Sequence, residues 1–165
     1  MKVRDRIKSL RRVRAADLIP NPRNWRTHPE SQQNVLRGIL AEVGIADAVL
    51  VREVPEGLML IDGHLRADTL PDQKIPCLVL DVDADEADKI LATLDPLAAM
   101  AEANEQALGE LLAQIETESD ALQEMLDGLA AEPLPDNADG QEFDESCAND
   151  VKMIMCPECG HEFPT

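Results

Sequence analysis

Four residues with useful chemistry, Asp62, Gly63, His64 and Arg66, lie close together in the segment 60–68. The segment predicts an apolar strand that ends in a glycine turn and opens directly into a helix. The first N–H groups of a helix lack intrahelical partners and lie at the positive end of its dipole, and Gly63 would let an anion approach the backbone closely. The pattern therefore indicates a site for phosphate.

Each side chain of this turn has a role in that hypothesis. Arg66 would add a bidentate charged contact to phosphate. Asp62 and His64 are the groups able to move a proton, and Asp62 is alternatively a ligand for a divalent cation that a nucleotide also holds. The simpler interpretation is that Asp62 caps the helix, His64 packs at the surface and Arg66 forms an ordinary ion pair.

A proline-rich basic loop, 19–29, is the second candidate region. Its three prolines exclude a regular element, and Arg23, Arg26 and His28 could hold phosphate or a base. Trp25 is either a stacking surface for a base or an anchor that fixes the loop to the core.

The elements that position these residues follow from apolar spacing and turn signals. We expect a strand at 11–18, a helix from Pro29 to a stop at Gly44, a hairpin of 48–54 and 58–61, a short helix at 64–70, a buried strand at 75–80 that holds Cys77, a helix at 85–94 and, beyond Asp95-Pro96, two amphipathic helices around 108–115 and 122–129. The acids at 81–86 are metal ligands or, as we prefer, a helix cap and a dipole complement. This order indicates a small α/β or α+β domain with a helical extension.

Five ordered blocks, 16–26, 36–44, 49–52, 61–66 and 75–79, resemble the N-terminal domain of the ParB/sulfiredoxin superfamily over residues 10–95. The resemblance implies a small mixed sheet and a nucleoside triphosphate, with Mg²⁺, at the helix that a Gly-x-x-Arg motif opens. Gly63, His64 and Arg66 would then bind phosphate, Arg23 and Arg26 would close the site, and Asp62 and His64 would be catalytic in a nucleotidase (ATPase or CTPase) or DNase.

The chain also departs from patterns in that superfamily. Leu65 stands where the kinase and DNase members have a second histidine, which argues against those two activities. His64 occupies the position of the sulfiredoxin cysteine, so a cysteine-dependent reductase is not expected. The Glu-Asn-x-x-Arg box of partition proteins has no counterpart at 93–100, and the helices that follow are acidic. The resemblance therefore favours a short phage or mobile-element type, associated with DNA modification or partition-like processes.

The charge distribution is uneven along the 165 residues. The 15 basic and 33 acidic side chains give a net charge of −18, which argues against a general nucleic-acid-coating protein. Residues 1–37 nevertheless hold ten basic and three acidic side chains, and within them the segment from Lys2 to Arg14 is either an arm for DNA or a neutralising partner for the acidic helices. No apolar run has the length of a membrane span and no secretory signal is visible, so a cytoplasmic protein is expected.

The sequence beyond residue 95 predicts three further parts: a helical extension at 96–130, a disordered acidic linker at 131–150 and a tail at 151–165. In the tail, Cys156-Pro-Glu-Cys159-Gly is typical of one zinc-ribbon knuckle, and Cys147 and His161 are the remaining candidate ligands for structural Zn²⁺. Three arrangements are open. Either Cys147 and His161 complete a small site, or two chains share the metal in a homodimer, or the knuckle is a remnant without metal. A non-enzymatic adaptor, whose acidic helices and tail dock another phage protein, is the alternative function.

Overall fold

The computed structural model describes residue 1, residues 3–131 and, in the tail, residues 153–155 and 162–164. The chain divides into two compact units, Met1–Ala130 and Ala131–Thr165. No described helix is both long and apolar enough to cross a bilayer.

The first unit contains a four-stranded mixed sheet in the order β1-β4-β2-β3. The strands are β1 (Ile7–Arg14), β2 (Val49–Val54), β3 (Gly57–Asp62) and β4 (Lys74–Leu80). β2 and β3 form an antiparallel hairpin, β4 runs parallel to β2, and β1 is antiparallel to β4 at one edge. The predicted hairpin and the predicted strand at 75–80 are confirmed.

The N-terminal strand lies earlier than the sequence suggested. The expected strand at 11–18 was wrong because a 3-10 helix, Ala15–Asp17, replaces its second half. There the N–H of Ala15 donates to the carbonyl of Gln73 and the N–H of Ala16 donates to that of Pro71, so the backbone turns out of the sheet. A register shift between Ile7 and Ser9 also breaks the period-two pattern that would have marked the true strand.

Successive side chains of a strand point to opposite sides, and both sides of this sheet carry buried apolar residues. One face carries buried Val49, Val51, Ile75, Cys77 and Val79. The other face carries Leu80 and Ile61, which pack with Ala87 and Leu91 of a helix. The core is therefore aliphatic, as the aromatic content of 2% requires.

Five helices accompany the sheet in the part of the chain that is described: α1 (Glu30–Glu42), α2 (His64–Thr69), α3 (Ala84–Ala99), α4 (Glu105–Leu112) and α5 (Asp120–Ala131). α1 begins one residue after Pro29, which we had expected at its first position. The helices predicted from Pro29 to Gly44 and at 64–70, 108–115 and 122–129 are observed as α1, α2, α4 and α5, although α4 lies three residues earlier than predicted.

α3 begins with a capping box. The side chain of Asp83 accepts from the N–H of Glu86, and Glu86 accepts in return from the N–H of Asp83. The expectation that these acids cap a helix is confirmed. Its expected end at Leu94 was wrong, because α3 continues through Pro96, whose carbonyl accepts from the N–H of Met100.

α5 is fastened to α1 by the carboxylate of Glu42. Its Oε1 accepts from the hydroxyl of Thr117 at 2.6 Å and from the N–H groups of Glu118 and Ser119 at 3.0 and 3.1 Å. The Thr117 hydroxyl contributes most to holding the pKa of Glu42 below its ordinary value, and the two N–H groups add to the effect. The helical extension is therefore joined to the sheet domain through α1.

In the second unit, the described residues form a two-stranded antiparallel pair, β5 (Met153–Met155) and β6 (Glu162–Pro164). Cys147, Cys156, Cys159 and His161 lie outside the described residues, as does the predicted linker from 132 onward.

Candidate functional site

The turn between β3 and α2 has the strand–glycine–helix form that the sequence predicts. Gly63 occupies the left-handed region, with φ of 90°, and is the residue that precedes the first turn of α2. No side chain caps this helix, so the alternative in which Asp62 caps it was wrong. A Cβ at position 63 would lie 2.8 Å from Cβ of Val49. Packing against β2 therefore requires glycine here, whether or not a ligand is bound.

His64 is buried, with 7% of its surface exposed, and the alternative in which it packs at the surface was wrong. Its Nε2 accepts a hydrogen bond of 3.2 Å from the backbone N–H of Asn21, a residue of the proline-rich loop that is also buried. Burial lowers the pKa of His64, although Asp68 and Asp62 oppose this effect. The neutral imidazole thus joins α2 to the loop.

Arg66 lies on the first turn of α2, and two carboxylates hold its guanidinium. Nη1 pairs with Asp47, and Nη2 lies 3.4 Å from Oδ2 of Asp62. The side chain of Arg66 is 21% exposed, whereas that of Asp47 is 73% exposed. A ligand anion that reaches Arg66 has to replace the exposed Asp47.

Arg26 approaches the same aspartate from the proline-rich loop. Its Nη1 lies 3.8 Å from Oδ1 of Asp62, and its Nε lies 2.5 Å from Oδ2 of Asp95 in α3. The contact with Asp95 is an ion pair rather than an aligned hydrogen bond, because Nε has no acceptor that meets the hydrogen-bond geometry. Asp62 therefore lies between two guanidiniums that come from different elements.

The rest of the proline-rich loop faces outward. Trp25 is 61% exposed, so the alternative in which it anchors the loop to the core was wrong. The Arg26 guanidinium lies 4.9 Å from the centre of the indole, a cation–π contact. Arg23 pairs with Asp88 of α3 and is 70% exposed. Nδ1 of His28 lies 2.9 Å from Oε1 of Gln32 in α1.

The structure thus places Arg23, Arg26 and Arg66, three of the candidate phosphate-binding residues, in ion pairs with aspartates of the same chain. Three arginines meet four carboxylates, those of Asp47, Asp62, Asp88 and Asp95, so the cluster has a formal charge of 3 − 4 = −1. Sequence reasoning missed Asp47, Asp88, Asp95 and the buried Asn21. Their partners are distant in sequence, and only the net excess of acids hinted at them.

An apolar cavity of about 270 Å³ adjoins Arg66 and Asp47. α1 contributes Leu36 and Leu40 to its lining, and Leu70 and Ile75 also line it. The cavity lies beside the charged cluster, so one ligand could place an apolar part in it and an anionic part at Arg66.

The basic N-terminal segment is largely paired within the sheet domain. Arg6 contacts Glu86, Arg14 contacts Asp72, and both Lys8 and Arg11 contact Glu53. Most of this segment is therefore a strand rather than a free arm.

Two further groups bear on the chemistry. Cys77 is fully buried in β4, and this burial raises the pKa of its thiol. Among the residues that the structure describes, no group of three or more histidine, cysteine and acidic side chains is arranged to hold a metal ion.

No protein-family profile and no curated protein sequence matches the chain. Among solved structures it is similar to the C-terminally truncated chromosome-partitioning protein ParB from Caulobacter crescentus, complexed with CTP-γ-S, with a TM-score of 0.53 and 22% sequence identity. The match covers 64% of this chain and 60% of that chain, so this chain spans less than two thirds of that structure. The likeness shows a ParB-like fold, as the sequence resemblance implied.

Proposed function

We propose that this protein binds a nucleotide or a nucleic-acid phosphate at the turn between β3 and α2. The observation that carries the proposal is the convergence of Arg26 and Arg66 on Asp62 beside Gly63. Two guanidiniums from different elements can hold a phosphate between them once their aspartates are replaced.

The fold supports a nucleoside triphosphate as the ligand. The ParB structure of similar fold is described in complex with CTP-γ-S. In the present chain, the apolar cavity beside Arg66 offers a place for the nucleoside, while Arg26, Arg66 and the exposed Arg23 would bind the phosphates once these replace their aspartates.

Mg²⁺, if it takes part, belongs with the phosphates of the ligand. Asp62 is a poor cation ligand in this arrangement because Arg26 and Arg66 already flank its carboxylate. His64 is likewise a poor general base through Nε2, which accepts from Asn21. A nucleotidase or DNase role for Asp62 and His64 therefore requires the loop and both arginines to rearrange first.

Calorimetry with ATP, CTP, GTP and ADP, each with magnesium, tests the binding proposal. Arg66→Ala should abolish binding without unfolding the chain. Asp47→Asn should tighten binding because it frees Arg66. The two variants should therefore change the affinity for the same nucleotide in opposite directions. Arg12→Ala, on β1 and outside the described ion pairs, is the matched control and should leave binding unchanged. The proposal is wrong if wild type and Asp47→Asn both fail to bind every nucleotide and also fail to bind DNA.

The second candidate is a non-enzymatic adaptor on the same fold. The observation that favours it is the formal charge of −1 at the site, where each arginine is held by an internal carboxylate. In that case the ion pairs stabilise the fold, and Arg66→Ala lowers the melting temperature while nucleotides have no effect on it.

Two further parts of the proposal rest on the sequence alone. The ordered sequence blocks favour a phage or mobile-element protein associated with DNA modification or partition-type processes. Cys156 and Cys159, with Cys147, His161 or a second chain, are proposed to hold structural Zn²⁺. Metal analysis of the purified protein, with Cys156→Ser as the comparison, tests the zinc site; equal metal content in both would contradict it.

A further inference from the structure

We propose that α4 and α5 form a docking surface for a basic amphipathic helix of another protein. This inference does not depend on nucleotide binding. It rests on the exposed apolar side chains, the isolation of α4 and the charge of the segment that carries both helices.

Four apolar side chains in and beside these helices are exposed although their spacing is that of a buried stripe, whereas Leu108, Leu112 and Leu126 are half-buried. Leu111 is 57% exposed and Ile115, just after α4, is 39% exposed. In α5, Met125 and Leu129 are 41% and 47% exposed. Leu122 is the buried member of α5, where it packs near Gly38 of α1. We call the four exposed residues the docking surface.

α4 makes little contact with the rest of the described structure. It has eight residues, none of them buried, and makes no extensive contact with another described element. Helices this short are marginal in water unless their apolar face is covered. The capping contact from Asn104 to the N–H of Ala107 fixes its start but covers none of its apolar face. A covering partner would supply the missing packing.

The charge of this segment selects the partner. No lysine or arginine occurs between Lys89 and Lys152, whereas residues 90–131 contain nine acids: Asp95, Glu102, Glu105, Glu110, Glu116, Glu118, Asp120, Glu124 and Asp127. This excess would repel nucleic acid, an anionic membrane surface and the same surface of a second copy. A partner with an apolar stripe flanked by lysine or arginine satisfies both the packing and the charge.

The probe for the test is a fluorescent synthetic helix of leucine and lysine, with its leucines at helical spacing. A scrambled peptide of the same composition and a leucine–glutamate helix of the same pattern are its controls. Fluorescence anisotropy with the full-length protein should show binding of the ordered lysine helix, much weaker binding of the scrambled peptide and none of the glutamate helix. Raising the salt concentration should weaken binding, because the attraction between charges is screened.

Variants of the protein locate the surface. Leu111→Ala with Ile115→Ala keeps good helix formers and should weaken binding about tenfold or more. Leu10→Ala, at an equally exposed leucine of β1, is the matched control and should not change it. Methyl NMR shifts confined to Leu111, Ile115, Met125 and Leu129 would support the same surface.

Three outcomes would overturn the proposal. The first is equal binding of the ordered and scrambled lysine peptides, which would indicate a general attraction to polycations. The second is equal loss of binding in the Leu111/Ile115 double variant and in Leu10→Ala. The third is sedimentation that reveals a dimer which the double variant dissociates, because a second copy would then be the occupant.

Discussion

The guanidinium of Arg6 holds both carboxylate oxygens of Glu86, with Nη1 2.7 Å from Oε1 and Nη2 2.6 Å from Oε2. This bidentate pair ties the beginning of the sheet domain to the first turn of α3. Together with the N–H of Asp83, it lowers the pKa of Glu86 to about 2, and the hydrogen bond from Arg6 is the largest cause.

The Glu86 pair predicts a specific loss of stability in acid. The folded-state pKa lies below the ordinary value of 4.5, so the unfolded chain takes up the proton first as the pH falls. The contribution is complete above about pH 4.5 and is lost as the pH falls through about 2. Arg6→Ala should remove most of this pH dependence in denaturant unfolding. Arg4→Ala should remove little, because Arg4 is 3.7 Å from Glu86 and 75% exposed. If the unfolding free energy falls with pH equally steeply in wild type and in Arg6→Ala, the assignment of this pH dependence to the Arg6–Glu86 pair is contradicted.

Gly63 and Gly44 separate the cost of backbone strain from the cost of packing. Both have positive φ, 90° and 89°. A Cβ at Gly63 would meet Val49, whereas a Cβ at Gly44 would have no neighbouring atom within 4 Å. Gly44→Ala should cost about 1–2 kcal/mol of unfolding free energy from the left-handed conformation alone. Gly63→Ala should cost about 1–3 kcal/mol more, because it also overpacks the core. Chemical denaturation measures both, and equal losses would show that the Val49 contact relaxes freely.

Two helical glycines give a second matched pair with opposite signs. Gly38 of α1 lies against Ser119, and a Cβ there would be 2.8 Å from Cβ of Ser119. Gly38→Ala should therefore destabilise the protein by about 1–3 kcal/mol. Gly128 of α5 faces open space, so Gly128→Ala should stabilise it by about 0.5–1 kcal/mol, the usual difference in helix propensity. Thermal unfolding distinguishes the two, and stabilisation by both would show that α5 does not pack on Gly38.

His64 predicts a response of the proline-rich loop to pH. Its pKa is lowered by burial, so the folded state favours the neutral ring more than the unfolded chain does. The stability linked to His64 is present above the ordinary value of 6.5 and declines as the pH falls through its folded-state pKa. The charged ring cannot accept from Asn21, so Trp25 fluorescence should change in the same range. His64→Gln should abolish this change; a transition that persists in the variant would assign it to another group.

The hairpin, β4 and α1 were predictable because period-two and period-3.6 patterns are local properties of the sequence. β1 was misplaced since it is an edge strand in which Ile7 and Leu10 are exposed by 53% and 63%, so its apolar pattern does not reflect burial. α3 was cut short because Pro96 usually ends a helix.

The turn at Gly63 was predictable from its strand–glycine–helix pattern, but the state of its arginines was not. Arg26 pairs with Asp95 and Arg66 pairs with Asp47, across elements whose relative placement only the fold determines. An excess of acids in the composition does not say which carboxylate reaches which guanidinium. The candidate site could thus be located from sequence, whereas its internal neutralisation required coordinates.

The placement of β1 between solvent and β4 also constrains how the chain can fold. Ile7 pairs with Leu80, so β1 has no hydrogen-bonding neighbour in this sheet until β4 has been synthesised. Contacts so distant in sequence slow folding, since a large loop must close before they form. During synthesis β1 therefore remains an unpaired basic strand while residues 15–73 are added, and β4 is the segment whose arrival ends that exposure.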